Sequence, residues 1–248
     1  MASSLDAVDR IDAVRDRIQR KAGIRQWYAE IYQRDLDCLA RCPHGGMAVE
    51  IGSGGGFAQD VIPGIVTTDV LSYPGLDRVI DARDMAFEDG SLRMICMLNV
   101  FHHIPDVEAF LREASRCLCP GGRMLIVDQH PGIFARPILK HFHHEPFDRS
   151  TASWQFNAEG PLSGANGALA WIVFHRDRER FDHEYPQLRL VRYETHSPLR
   201  YWLFGGLRAW TAMPGWMFGP LSRIDTCLSG LADDFGSFVD IELVRVAP

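Results

Sequence analysis

Gly52-Ser53-Gly54-Gly55-Gly56 is the first place along this chain where residue types and spacing suggest chemistry. The run follows the apolar stretch Met47–Ile51 and precedes a predicted helix. Glycines there let the backbone lie against a ligand and take φ values that a Cβ would forbid. As a dinucleotide fingerprint the loop is poor. G-x-G-x-x-G counted from Gly52 needs glycine where Phe57 stands, and Glu50 just upstream is a further departure. A phosphate-binding P-loop is excluded, since no Gly-Lys-Ser/Thr follows. Asp69 and Asp81 each close a short β-branched run, and alone they would read as strand-end caps. Histidines cluster at His102-His103, at His130, and in His141-Phe142-His143-His144-Glu145. In the last group His141, His144 and Glu145 have helical spacings that suggest a metal site, but nothing else supports one; helix packing is expected and no metal.

The elements that must position these residues alternate. Apolar residues at Leu5, Val8, Ile11 and Ile18, then Trp27, Ile31, Leu36 and Leu39, predict two amphipathic helices broken near Gly23. Met47–Ile51, Ile65–Val70, Arg78–Asp81, Leu92–Leu98 and Arg123–Asp128 read as strands, the fourth apolar almost throughout, as in a parallel strand covered on both faces. Val107–Leu118 has helical periodicity and stops at Pro120-Gly121-Gly122. This rhythm predicts an α/β fold, a Rossmann-like, mostly parallel sheet with helices on both faces.

The chain has 248 residues, 46% hydrophobic and 23% charged, an ordinary globular mix that can bury a full core. A net charge of −6 argues against a nucleic-acid groove. Charges interrupt the first residues too often for a signal peptide, and the six cysteines include no CxxC pair, so reduced thiols and a cytoplasmic location are expected.

Four stretches in order resemble the class I S-adenosylmethionine-dependent methyltransferases over about residues 45–130: VEIGSGGGF, Asp69 closing the second strand, DARDMAFEDGSLRMICMLNVFHHIPD, and REASRCLCPGGRMLIVD. The sequence departs from the family pattern at Ala86, where proline is common, and at Leu92-Arg93, where an aromatic-Asp pair is common. The resemblance implies seven strands with an antiparallel last one. It also implies S-adenosylmethionine as cofactor, giving S-adenosylhomocysteine, and a cofactor site of Glu50, Gly52, Ser53, Gly54, Gly56, Asp69, Val70, Asp81, Ala82, Met85, Asn99 and Val100. In it Asp69 meets the ribose hydroxyls, Asp81 the adenine amine, the Ala82 amide the ring nitrogen, Met85 the ring face and Asn99 the amino-acid tail. Glu50 anchors either the loop or the cofactor's amino group. A cofactor-binding but inactive subunit of a biosynthetic complex is the main alternative; Phe57 and the Pro-Gly-Gly turn disfavour a nucleotide-dependent oxidoreductase.

Residues 1–44 then form N-terminal helices, 45–131 the cofactor core, 132–187 a variable substrate-side segment with a helix over 136–144, and 188–248 the last two strands, all within one structural domain. Leu188–Tyr193 and Phe238–Val246 alternate as strands six and seven, around an inserted aromatic helical cap over 197–236. That cap reads either as packing on itself or as a lid over a small-molecule acceptor. Trp202 and Trp210 are its candidate contacts, with His143, His144, Glu145 and Asn166 as polar partners. The acceptor is expected to be an O, N or C nucleophile on an apolar, aromatic, lipid-like or glycosidic molecule. Cap glycines, Arg208 and Pro214 exclude a membrane span but leave peripheral membrane contact open. His103 and His130 follow strands four and five and are the candidate bases, needed only if the acceptor must lose a proton.

Overall fold

Side-chain alternation within the strands makes a two-faced sheet. In the computed structural model, which describes residues 9–142, 145–158, 160 and 164–247, the strands are β1 (Met47–Ile51), β2 (Ile65–Asp69), β3 (Arg78–Val79), β4 (Leu92–Leu98), β5 (Leu118–Gln129), β6 (Leu188–His196) and β7 (Phe238–Arg245). They form one seven-stranded sheet in the order β3-β2-β1-β4-β5-β7-β6, with β7 antiparallel to both of its neighbours. The helices are α1 (Asp9–Arg20), α2 (Ala22–Leu39), α3 (Ala58–Val61), α4 (Val107–Cys117), α5 (Ala135–His141), α6 (Leu169–Trp171), α7 (Arg178–Glu184), α8 (Arg200–Leu203) and α9 (Phe218–Ser229). None of the described helices is long and apolar enough to cross a membrane.

Consecutive strand residues point to opposite faces. Ile95, Met97, Met124, Ile126 and Ile241 enter one core with Phe110 and Leu111 of α4 and Phe174 and Phe181 from the α6–α7 segment. Met94, Cys96, Leu125, Val127 and Phe238 enter the other with Trp27, Ile31 and Tyr32 of α2 and Phe218 of α9. Burial on both sides explains the unbroken apolar reading of β4.

Three details differ from the sequence reading. The first break falls at Lys21, not Gly23: Lys21 takes an extended backbone and its Nζ donates to the carbonyls of Gly206 and Arg208. Gly23 lies inside α2, where a Cβ would stand 2.3 Å from the Phe204 ring. β5 begins at Leu118, because Leu118 pairs with Leu92 before the Pro-Gly-Gly segment bulges and Arg123 pairs with Met94. α5 ends at His141, so Glu145 is not on that helix.

Asp106 caps α4, accepting from the Ala109 amide at 2.9 Å. Asp106→Ala is expected to cost about 1 kcal/mol, read as a lower denaturation midpoint.

Candidate active site

The carboxyl ends of β1, β2 and β4 open into a cavity of about 990 Å³. It lies where the strand order reverses between β1 and β4, the usual ligand position in an open α/β sheet. Gly52 has φ +70, and a Cβ there would stand 2.4 Å from Val100 Cγ2, so glycine alone lets the loop pass the end of β4. The Ser53 amide donates to the Thr68 carbonyl (2.9 Å) and the Gly54 amide to Asp69 Oδ2 (3.0 Å), tying loop to strand. Asp69 is buried and also accepts from the Leu71 amide at 3.0 Å. The Tyr73 hydroxyl reaches it only at a long 3.4 Å, a contact a ligand hydroxyl could replace.

Glu50, at the end of β1, is buried in the cavity wall. Burial, reinforced by the negative charge of Asp69 and opposed by the Ser53 and Tyr32 hydroxyls, raises its pKa to about 7. Asn99 follows the last residue of β4 with φ +57, a left-handed conformation that asparagine tolerates better than most residues. Glu50 Oε2 and Asn99 Oδ1 are both buried without a hydrogen-bond partner among the described residues. Buried polar groups are nearly always paired, so two orphaned acceptors on one wall suit a ligand that donates hydrogen bonds. Val70, Gly56 and Val100 line the same wall.

The helices at the N-terminal end also reach this cavity. Arg10, Ile11 and Val14 of α1 line it, as do Tyr28 and Tyr32 of α2. The Tyr32 hydroxyl accepts from the Phe57 amide at 3.2 Å, fixing the far end of the glycine loop. The sequence reading gave these residues no site role. The available signal is the pair Tyr28 and Tyr32, one turn apart on the buried face of α2.

Asp81, Ala82 and Arg83 line the cavity beside β3, and Asp81 pairs with Arg83 at 2.6 Å. Met85 does not line it. It is 1% exposed in the core, its amide donating to Glu113 and its carbonyl accepting from Arg116 of α4, so its turn is drawn away from the opening.

At the other end of the cavity stand His103 and Glu145, with Asp106, Gln155 and Phe156 nearby. His103 Nδ1 lies 3.2 Å from the Gly164 carbonyl and Nε2 lies 3.5 Å from Glu145. Behind them His102, which the sequence reading passed over, is buried, with Nδ1 2.6 Å from Asp128 and Nε2 3.2 Å from Glu145. Burial alone would lower the His102 pKa, but the Asp128 and Glu145 carboxylates outweigh it and raise it to about 10.

Other candidates lie elsewhere. His130 does not line the cavity; its Nδ1 is 3.0 Å from the Tyr193 hydroxyl of β6. Burial, with nearby His175 and Arg136, pushes its pKa down to about 3. Asn166 is also away from the cavity. Its side chain is used up clamping the backbone of Asp148 and Ala168, while its amide donates to the His102 carbonyl. Trp202 stacks on Phe238 (ring centroids 5.8 Å apart), and Trp210 is 52% exposed; neither reaches the cavity, where Leu207 is the one cap residue among those lining it. His143 and His144 lie outside the described residues. His141 is exposed at the end of α5, so it is not part of the Glu145 cluster.

Residues 49–126, which hold the glycine loop, both aspartates and the start of the histidine cluster, match the family described as methyltransferase domain. These residues carry a methyltransferase domain of the class I S-adenosylmethionine-dependent type. Among the similar methyltransferases is the ubiquinone biosynthesis O-methyltransferase of Xanthomonas oryzae, 26% identical over 161 residues, covering 50% of this chain and 66% of that protein. The chloroplastic tocopherol O-methyltransferase of Arabidopsis thaliana is 37% identical over 57 residues, 23% of this chain and 16% of that protein. The chain thus spans less than two thirds of the length of these curated relatives. In fold it resembles the geranyl diphosphate C-methyltransferase of Streptomyces coelicolor, with TM-score 0.54, 16% identity, and coverage of 90% of this chain and 82% of that one. The methyltransferase solved with the Haloferax volcanii Trm112 activator gives TM-score 0.54 at 15% identity, covering 100% of both chains. These two likenesses concern the fold alone, the seven-stranded sheet with antiparallel β7 described above.

Proposed function

We propose that the chain moves a methyl group from S-adenosylmethionine to a nucleophilic oxygen of a small-molecule acceptor held against His103 and Glu145. The observation that supports this reading is a single cavity of about 990 Å³ running from Gly52–Gly56 and Asp69 to His103 and Glu145. That is the upper end of the usual range for small-molecule sites, with space for a nucleoside-sized donor and an acceptor together.

Bound S-adenosylmethionine supplies an activated methyl group on a sulfonium that leaves readily. The chain's own work is alignment and exclusion of water. Asp69 accepts from the ribose hydroxyls, Glu50 and Asn99 offer their orphaned oxygens to the amino-acid tail, and Asp81 and Ala82 meet the adenine edge. Ile11 and Val14 of α1 cover the loop side. A hydroxyl acceptor must lose a proton, and His103 stands where it can take it, supported by Glu145. Ile104, Pro105 and Phe156 with Asp106, Gln155 and Asn157 line that end, a mixed surface suited to an apolar body carrying polar groups. Phenolic, lipid-like and glycosidic compounds are therefore the acceptor classes to test. The curated O-methyltransferase relatives fit the same choice of atom.

Isothermal titration with S-adenosylhomocysteine, followed by methyl-transfer assays across the three acceptor classes, tests the reading. Turnover with at least one class is expected. Tight S-adenosylhomocysteine binding without transfer to any would favour a non-catalytic subunit instead. His103→Ala should lower kcat by roughly 100-fold or more while S-adenosylhomocysteine affinity stays within about twofold. Trp202→Ala should lower the melting temperature, a cost of roughly 3 kcal/mol at most for a half-buried ring, and leave the acceptor KM unchanged.

A further inference from the structure

His102, His103 and Glu145 each offer one ligand atom, and these atoms lie within 4.8 Å of one another. The His102 and His103 rings are neighbours, with centroids 4.2 Å apart. Both rings are held from behind: His102 Nδ1 by Asp128 at 2.6 Å, His103 Nδ1 by the Gly164 carbonyl at 3.2 Å. Both Nε2 atoms then converge on one carboxylate, His102 at 3.2 Å and His103 at 3.5 Å. Imidazoles that ligate metals characteristically donate one ring N–H to a carboxylate or carbonyl and turn the other nitrogen to the ion. Bonds of about 2.0–2.2 Å in a tetrahedral site place neighbouring ligand atoms about 3.3–3.6 Å apart, close to the two Nε2-to-carboxylate separations here. Gln129 Nε2 lies 3.5 Å from His102 Nε2, and turning its amide over would present an oxygen at the same place.

We propose that His102, His103 and Glu145 bind one divalent transition-metal ion, of which zinc best fits two imidazoles and a carboxylate. Three protein ligands leave a fourth position open, as in catalytic rather than structural zinc sites. His103 and Glu145 line the cavity, so that position faces the acceptor end. With the ion bound, His103 is a ligand and no longer a base; an acceptor oxygen bound at the open position would give up its proton to water more readily, the ion taking over the activation assigned above to the free imidazole. This role rests on the acceptor site proposed above; the metal site itself does not. Asp128 acts as a positioning residue, fixing the His102 ring.

The test uses the full chain stripped with a chelator, dialysed and titrated with zinc chloride, with elemental analysis after removal of excess ion and cobalt(II) absorption as a second readout. About one zinc per chain is expected. Glu145→Gln and His103→Ala should each weaken zinc binding at least tenfold, and Asp128→Asn should weaken it 10–100-fold. His175→Ala, an exposed histidine elsewhere, should leave stoichiometry and affinity unchanged. Circular dichroism identifies any variant that fails to fold, and the partly exposed His103 keeps the test available if changes at the buried groups disrupt the core. Stoichiometry below about 0.1 zinc per chain, or unaltered binding in folded Glu145→Gln and His103→Ala, would overturn the proposal. Chelated protein that binds no zinc yet transfers methyl groups normally overturns the metal site and spares the methyltransferase reading; protein that binds zinc but no S-adenosylhomocysteine does the reverse.

Discussion

Glu50→Gln is expected to make the ligand-free protein more stable at pH 8 and its hold on S-adenosylmethionine weaker. Burial raises the Glu50 pKa in the folded chain to about 7 from an ordinary value of 4.5. A group whose folded pKa is raised contributes stability that is fully present below the unfolded pKa and is lost as pH rises through the folded one. For Glu50 the loss therefore accumulates between pH 4.5 and about 7, and amounts to about 3 kcal/mol above that window. Glutamine cannot ionise, so the variant escapes this loss. Scanning fluorimetry should show a melting temperature several degrees above wild type at pH 8 and nearly equal at pH 4.5. Binding runs the other way. The ionised carboxylate, with Oε2 lacking a partner, is the natural acceptor for the donor's ammonium group. Wild-type affinity should rise from pH 6 to pH 8, and the variant should lose about 10–100-fold at pH 8 with little pH dependence, the range for a hydrogen bond between charged groups. If Glu50 only anchors the loop, the variant melts lower at every pH and the affinity profile keeps its slope.

Asp69→Ala should weaken S-adenosylhomocysteine binding by about 1.5–3 kcal/mol, again about 10–100-fold. Two effects add. The ribose hydroxyls lose a charged acceptor, and the Gly54 and Leu71 amides lose the oxygens that hold the loop at 3.0 Å each. Asp81→Ala should cost less, under about threefold, because Asp81 is partly exposed, already paired with Arg83, and replaceable by water at the adenine edge. Calorimetry on folded Asp69→Ala with unchanged affinity would remove Asp69 from the ribose contact. Equal losses at both positions would instead point to a general loosening of the cavity.

Local patterns in the sequence were enough for the sheet and for the glycine-loop end of the cavity. β-Branched and apolar runs of strand length, helical periodicity between them, and glycines where φ turns positive are properties of neighbouring residues, so Met47–Ile51 and Gly52–Gly56 read directly from the chain, whereas Asp69 and Asn99 are singled out only through the family resemblance. The histidine end did not read this way. His102 looks like one of a pair of equivalent histidines until the fold buries it between Asp128 of β5 and Glu145, a residue 43 positions further along the chain. Tyr28 and Tyr32 become cavity residues only because α2 packs over β4 and β5, next to the strand that carries Glu50. His130 and Trp202 look exposed to ligand in the sequence, yet Tyr193 of β6 and Phe238 of β7 take up their faces. Residue type and short-range spacing determine which element forms and what chemistry a side chain could do; close packing between segments far apart in the chain decides which of those side chains meet. That is why the cofactor loop was legible from residues 45–130, while the partners of Glu145 required the folded sheet.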